Sequence, residues 1–172
     1  EATLAENMTL MFTFRGIPTV YYGTEIQFQK GKQIEPWYNG NKTTFANSGR
    51  AYFGANLEGS VTASSFGSYD SASGAVKSTL DHPLAKHIAR LNMIRRAIPA
   101  LQRGQYSTDD VSASGTAAFK RRYTNTSEGI DSFVLVTISG SATFSNIPSG
   151  TYTDAVTGAT YTSSGSLTVS CS

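Results

Sequence analysis

Cysteine is all but missing: Cys171 stands alone in 172 residues, which excludes a disulfide within the chain and leaves it unbridged or paired outside these residues. No apolar run approaches the ~18 residues that a membrane-spanning helix needs. Charge is sparse as well, with 14 Lys and Arg against 12 Asp and Glu, a net +2. The basic residues are scattered, which argues against nucleic acid and membrane surfaces as partners. There are only two histidines, His82 and His87, both in one segment. His87 has no second His, Cys or carboxylate at metal-ligand spacing beside it, and Cys171 has no histidine near it in sequence, so neither a metal site nor a nucleophile with its base is expected.

What the chain does contain is enough for a folded body. Hydrophobic residues make up 39% and charged residues 15%, which suits one good core or two small ones. Leu4, Met8, Met11 and Phe12 recur at helical spacing, so a helix is expected from Ala2 towards Phe14. Ile17 to Tyr22 is a short β-branched and aromatic run closed by glycines, with Pro18 at its start, where a strand tolerates proline. From Ile26 to Asp81 no periodicity is sustained, and a long irregular loop is expected, the kind that carries binding residues. Leu84, Ile88, Leu91, Ile94 and Ile98 then mark the clearest helix, with Asp81 as its cap, Pro83 in its first turn and Pro99 as its stop. Beyond Gly104 the composition turns to Thr, Ser, Gly, Tyr and Val. Strand-like runs at 116–123, 130–138, 141–144, 150–153, 160–162 and 166–170 predict an antiparallel Greek-key β-sandwich. The run at 130–138 is apolar on both faces and is expected at the centre of its sheet.

Arg15-Gly-Ile-Pro-Thr-Val-Tyr-Tyr-Gly-Thr-Glu25 resembles the last barrel strand of the α-amylase family of starch-acting glycosidases, a group that includes cyclodextrin glucanotransferases. The helix over 83–98 and the β-rich tail are similar to the family more weakly. The resemblance implies an α/β plus all-β fold, the end of a (β/α)8 TIM barrel followed by a small β-sandwich. The implied division is residues 1–102, the last part of the barrel with its long loop, and 103–172, the sandwich. A full barrel takes about 250 residues. The chain begins at Glu1 without methionine or signal peptide and stops just after a strand-like run, so both ends are expected to be cuts, with most of the barrel upstream.

Active sites of such barrels lie at the C-terminal ends of the strands, so the resemblance implies that Tyr21 and Tyr22 face a sugar-binding cleft. In the loop that follows, Trp37 is the leading candidate for stacking on a sugar ring, among aromatics at Tyr38, Phe45, Tyr52, Phe53, Phe66 and Tyr69 that would otherwise form the loop's own core. Arg50, in Asn47-Ser48-Gly49-Arg50, is similar in type to a family turn that contacts glucose units. Its other reading is a loop arginine on backbone carbonyls. Retaining glycosidases use two carboxyl groups about 5–5.5 Å apart, but the family segments that bear them have no counterpart here. No catalytic residue is therefore expected in this chain. Glu25 reads as a structural group at the strand-end turn, and Asp109-Asp110 as a solvated turn. The resemblance further implies a secreted, extracellular enzyme acting on α-1,4-glucan, with calcium in the full-length protein bound mainly by upstream ligands. The partners implied are α-glucan or maltooligosaccharide and the remainder of the barrel. The competing reading is a non-catalytic carbohydrate-binding or structural module.

Overall fold

The computed structural model describes residues 2–26, 54–65 and 68–171. They comprise helices α1 (Ala2–Thr13), α2 (Ala75–Asp81), α3 (Pro83–Ala97) and α4 (Pro99–Arg103), and ten strands: β1 (Gly59–Ser65), β2 (Ser68–Gly74), β3 (Gln105–Ser107), β4 (Val111–Ser114), β5 (Ala118–Asn125), β6 (Ile130–Thr137), β7 (Gly140–Ser145), β8 (Gly150–Thr153), β9 (Thr160–Ser163) and β10 (Ser166–Cys171). Every strand pair is antiparallel. Helix with antiparallel sheet is thus the architecture, and no parallel pair of the barrel type occurs among the described residues. The chain divides into two compact units, Glu1–Pro18 with Arg90–Ser172, and Thr19–Ala89.

The first unit is layered. Two three-stranded sheets, ordered β3-β5-β6 and β10-β7-β4, enclose a core in which Ala142, Phe144 and Ile147 meet Phe133, Leu135, Leu167 and Val169. The other face of β5 and β6 carries Phe119 and Val136, packed with Leu101, Leu10, Phe14, Ile94 and Ile98 of the helical segments. The β3-β5-β6 sheet is therefore covered on both sides. This corrects the expectation for residues 130–138: β6 lies at a sheet edge and β5 is central. The two-faced apolar pattern of β6 arises because sheet and helices pack on opposite faces, not because strands flank it. The short strands β3 and β4 fall in polar sequence that carries little strand signal. Proline at 99 ends α3 as expected, but it also opens α4: Ile98 is extended between them, and the Ala100 amide donates to Ser132 Oγ at 3.1 Å.

Helix α1 ends in an unusual arrangement of donors. Its last carbonyls have no partner within the helix, and two arginines distant in sequence supply one. Arg121 Nη1 donates to the carbonyls of Thr13 (2.9 Å) and Phe14 (2.8 Å), while its Nε and Nη2 donate to the carbonyl of Gly104 (3.2 and 2.9 Å). Arg95 Nη1 donates to the carbonyls of Phe12 (2.7 Å) and Phe14 (3.4 Å), and its Nη2 to that of Gly16 (2.6 Å). Arg121 is only 3% exposed. Burial, and then the neighbouring Arg95 and Arg15, hold its pKa below the ordinary value, and the negative end of the helix dipole compensates. Gly104 is required at the meeting point, since a Cβ there would stand 2.3 Å from the Ala100 carbonyl oxygen.

The segment after α1 departs from expectation. Residues 17–21 form no strand, and Ile17 is 92% exposed. A strand needs a neighbour to take its backbone groups, and no described strand lies beside this one. Its flanks are engaged otherwise, with the Gly16 carbonyl on Arg95 and the Tyr21 carbonyl accepting from the Thr24 amide at 3.1 Å.

In the second unit, part of the expected loop is ordered as the β1-β2 hairpin, a 3-10 turn at Gly54–Leu57 and α2. The hairpin is built from Ser, Thr and Ala with few large apolar side chains, which concealed it in the sequence. The end away from its turn is the Gly59–Gly74 pair, where a Cβ on Gly59 would lie 2.0 Å from the Ser73 carbonyl oxygen. Asp81 does not cap α3. It ends α2, and its carboxylate is engaged by Lys77, by Lys86 at 3.0 Å and by the Tyr69 hydroxyl at 3.3 Å. The acceptor at the start of α3 is His82 Nδ1, which takes the Leu84 amide at 3.2 Å.

Replacing Arg121 with Met strands the buried Thr13 carbonyl and the partly buried carbonyls of Phe14 and Gly104, and an unsatisfied buried group costs about 1–3 kcal/mol. Chemical denaturation of Arg121→Met is expected to show a loss of about 3 kcal/mol or more, with Lys a poor substitute because it lacks the planar fork. Hydrogen bonds from Lys77 and then Lys86 lower the Asp81 pKa from 3.8 to about 2. A carboxyl depressed in the folded state adds stability above its ordinary pKa and loses it as pH falls through the folded one. Acid unfolding of the wild type is thus expected to carry a pH dependence between about 4 and about 2 that Asp81→Asn lacks, read by circular dichroism at fixed denaturant.

Candidate functional site

Tyr21 and Tyr22 are the described residues that the resemblance places at a sugar cleft. Consecutive residues of an extended strand point to opposite faces, but here the chain turns at Tyr22-Gly23 into a 3-10 turn over Thr24–Ile26. Gly23 supplies a φ of 86°, which disfavours any residue with a Cβ. The turn brings the two rings together, with centroids 4.6 Å apart and planes 29° from parallel, a stacked pair. The two residues are 52% and 49% exposed. A stacked phenol pair combines apolar ring surface with hydroxyl groups, the combination that suits the apolar side of a pyranose ring and its hydroxyls.

Trp37 and Arg50 lie outside the described residues, as do Tyr38, Phe45, Tyr52, Phe53 and Phe66. Tyr69, the described member of that aromatic group, is half-buried with its hydroxyl on Asp81, and so serves its own unit. Glu25 stands in the first turn of the 3-10 element, half-buried.

Asp131, Asp154 and Asp109 are occupied structurally. Asp131 is gripped by Arg122 through two bonds of 2.9 and 2.7 Å, and this holds its pKa below the ordinary value. Burial pushes Asp154 up, but bonds from the Thr157 hydroxyl and from the Val156 and Thr157 amides outweigh that and leave it lowered. Asp109 accepts from Ser107 Oγ at 2.9 Å while its amide donates back to that oxygen at 3.0 Å, and Asp110 takes a φ of 56°. Asp109-Asp110 is therefore a tight turn stitched to the end of β3. A general acid requires a raised pKa, and the shifts at Asp81, Asp131 and Asp154 run the other way.

Calcium takes six to eight oxygen ligands. Among the described residues no three His, Cys, Asp or Glu side chains converge, and the Asp154 oxygens are already filled by its own turn. Sequence reasoning passed over Arg95 and Arg121, which set the backbone leading into the tyrosine segment. The signal for Arg121 was its parity, since it falls on the same face of β5 as the buried Phe119.

Exposure of the pair has a direct readout. A tyrosine-selective nitrating reagent at limiting dose is expected to modify Tyr21 and Tyr22 before Tyr106 and Tyr152, mapped by peptide mass spectrometry.

Neither a family model, nor a curated protein, nor a solved structure matches the chain.

Proposed function

We propose that this chain is the C-terminal portion of an α-amylase-like glycoside hydrolase, a secreted enzyme that cleaves α-1,4-glucan with retention. In this reading it contributes a wall of the sugar site and a bracing sandwich rather than the bond-breaking groups. The observation that carries it is the Arg15–Glu25 segment, which resembles the end of the family's last barrel strand and bears a stacked, half-exposed tyrosine pair. The antiparallel sheets that follow support the sandwich half.

In this reading the mechanism divides between pieces. Upstream strands would supply a nucleophile and an acid/base carboxyl about 5–5.5 Å apart. Tyr21 and Tyr22 would hold a glucose unit against their faces and exclude water from one side of it. Trp37 and Arg50 are the proposed further contacts, by stacking and by charged hydrogen bonds to hydroxyls. Binding by stacked aromatics is shared by substrate and transition state, so these residues act on affinity more than on turnover.

The stacked pair also favours the second reading, a non-catalytic carbohydrate-binding module, because an exposed aromatic platform binds sugar without any carboxylate. Calorimetric titration of the chain with a soluble maltooligosaccharide separates the readings from a purely structural role. Binding that falls at least ~10-fold in Tyr21→Ala/Tyr22→Ala, about 1.4 kcal/mol, is the expected result. Starch hydrolysis above a boiled control would contradict the assignment of catalysis to upstream strands, and undiminished binding in the variant would remove the tyrosines from the site.

A further inference from the structure

Asn followed two residues later by Ser or Thr, with no proline between, is the acceptor pattern for an N-linked glycan. It occurs at Asn7-Met8-Thr9, Asn41-Lys42-Thr43 and Asn125-Thr126-Ser127. We propose that Asn125 is a site of N-linked glycosylation. The inference rests on the secreted character of the proposed function, since the transfer takes place inside the secretory pathway.

The geometry around Asn125 suits that role. Asn125 is the last residue of β5, paired with Ile130 of β6, and the four residues of the turn between them are exposed. The Gly129 amide closes the turn on the Thr126 carbonyl at 3.3 Å, with Gly129 at a φ of 66° and open space around it. Ser127 Oγ donates to Asn125 Oδ1 at 2.7 Å. The hydroxyl that the acceptor pattern requires is therefore already on the carboxamide it must accompany. The Glu128 amide reaches the same oxygen at 3.4 Å. The nitrogen that would carry the sugar is held more loosely, donating to the Tyr123 hydroxyl at 3.5 Å.

The other described triplet is arranged differently. Asn7 and Thr9 lie within α1, where residues two apart do not face each other, and Thr9 Oγ1 donates backwards to the Ala5 carbonyl at 2.9 Å. Asn41 lies outside the described residues.

The donor would be an oligosaccharide joined through its C1 to a lipid pyrophosphate. In the transfer a bond forms between Asn125 Nδ2 and C1, and the bond from C1 to the pyrophosphate oxygen breaks. The lipid pyrophosphate leaves with that electron pair, and a base of the transferring enzyme takes one Nδ2 proton. Strand pairing engages the backbone of Asn125 and not its side chain, so the β5-β6 register survives the modification.

The test is expression of the whole chain behind a secretory leader in a eukaryotic host, with the secreted protein treated with an amidase that releases N-linked glycans. Peptide mass spectrometry is expected to find Asn125 converted to aspartate by that release, and at higher occupancy than Asn7. Asn125→Gln and Ser127→Ala are each expected to abolish the modification at this turn, while Ser127→Thr, which keeps the hydroxyl, retains it. A secreted chain with Asn125 unmodified overturns the proposal, and so does occupancy that survives Ser127→Ala. Should a variant fail to be secreted, site mapping on the wild type decides. Because the leader is supplied, the result is independent of the glucan reading: a chain glycosylated at Asn125 that binds no maltooligosaccharide supports this site and counts against that reading alone.

Discussion

The first unit depends on the satisfaction of one helix end. The carbonyls that close α1 are buried at Thr13 and partly buried at Phe12 and Phe14, and where water is kept out a missing donor imposes a penalty comparable to a lost hydrogen bond. Arg121 and Arg95 meet them, one from the middle of a sheet and one from the last turns of another helix. These two side chains join sequence neighbourhoods more than eighty residues apart, since the Arg95–Phe12 bond spans 83 positions and the Arg121–Thr13 bond 108. The packing of Phe14 on Tyr106 and Phe119 follows from where the helix is made to stop. A guanidinium without a carboxylate partner is tolerable there because its donors are matched by carbonyl oxygens and by the helix dipole.

The same constraint governs what comes next along the chain. By holding the Gly16 carbonyl, Arg95 fixes the exit of the segment that leads to the tyrosines. The segment then runs without strand partners, and the stacked tyrosines are placed by a local turn at Gly23 rather than by a sheet. Under the proposed function, the missing partners are barrel strands of the upstream protein, and the exposed Ile17 is a side chain that such strands would cover.

Much of the architecture was legible in the sequence, and the misses have separate physical causes. The helices over 2–13 and 83–97 stand close to where apolar spacing puts them, and so do the strands from β5 to β10. The β1-β2 hairpin was not legible because its Ser and Thr side chains give no hydrophobic alternation. The position of β6 was misjudged because periodicity reports which faces are covered, not what covers them. Asp81 was assigned to a cap on residue type alone, while Lys77 and Lys86 compete for the same oxygens and win them. Tyr21 and Tyr22 were singled out through a motif, and residues 17–21, expected to carry them as a strand, form none. Arg95 and Arg121 were not singled out, since their acceptors lie too far away in sequence for any local pattern to show.

Native-state hydrogen exchange tests the central role of the arginine-held helix end most directly. The Phe14 amide, bonded to the Leu10 carbonyl at 2.8 Å, is predicted to exchange with the same opening free energy as the amides of β5, and Arg121→Met is predicted to lower both together. Exchange at Phe14 that is fast in the wild type, while β5 stays protected, would contradict the account.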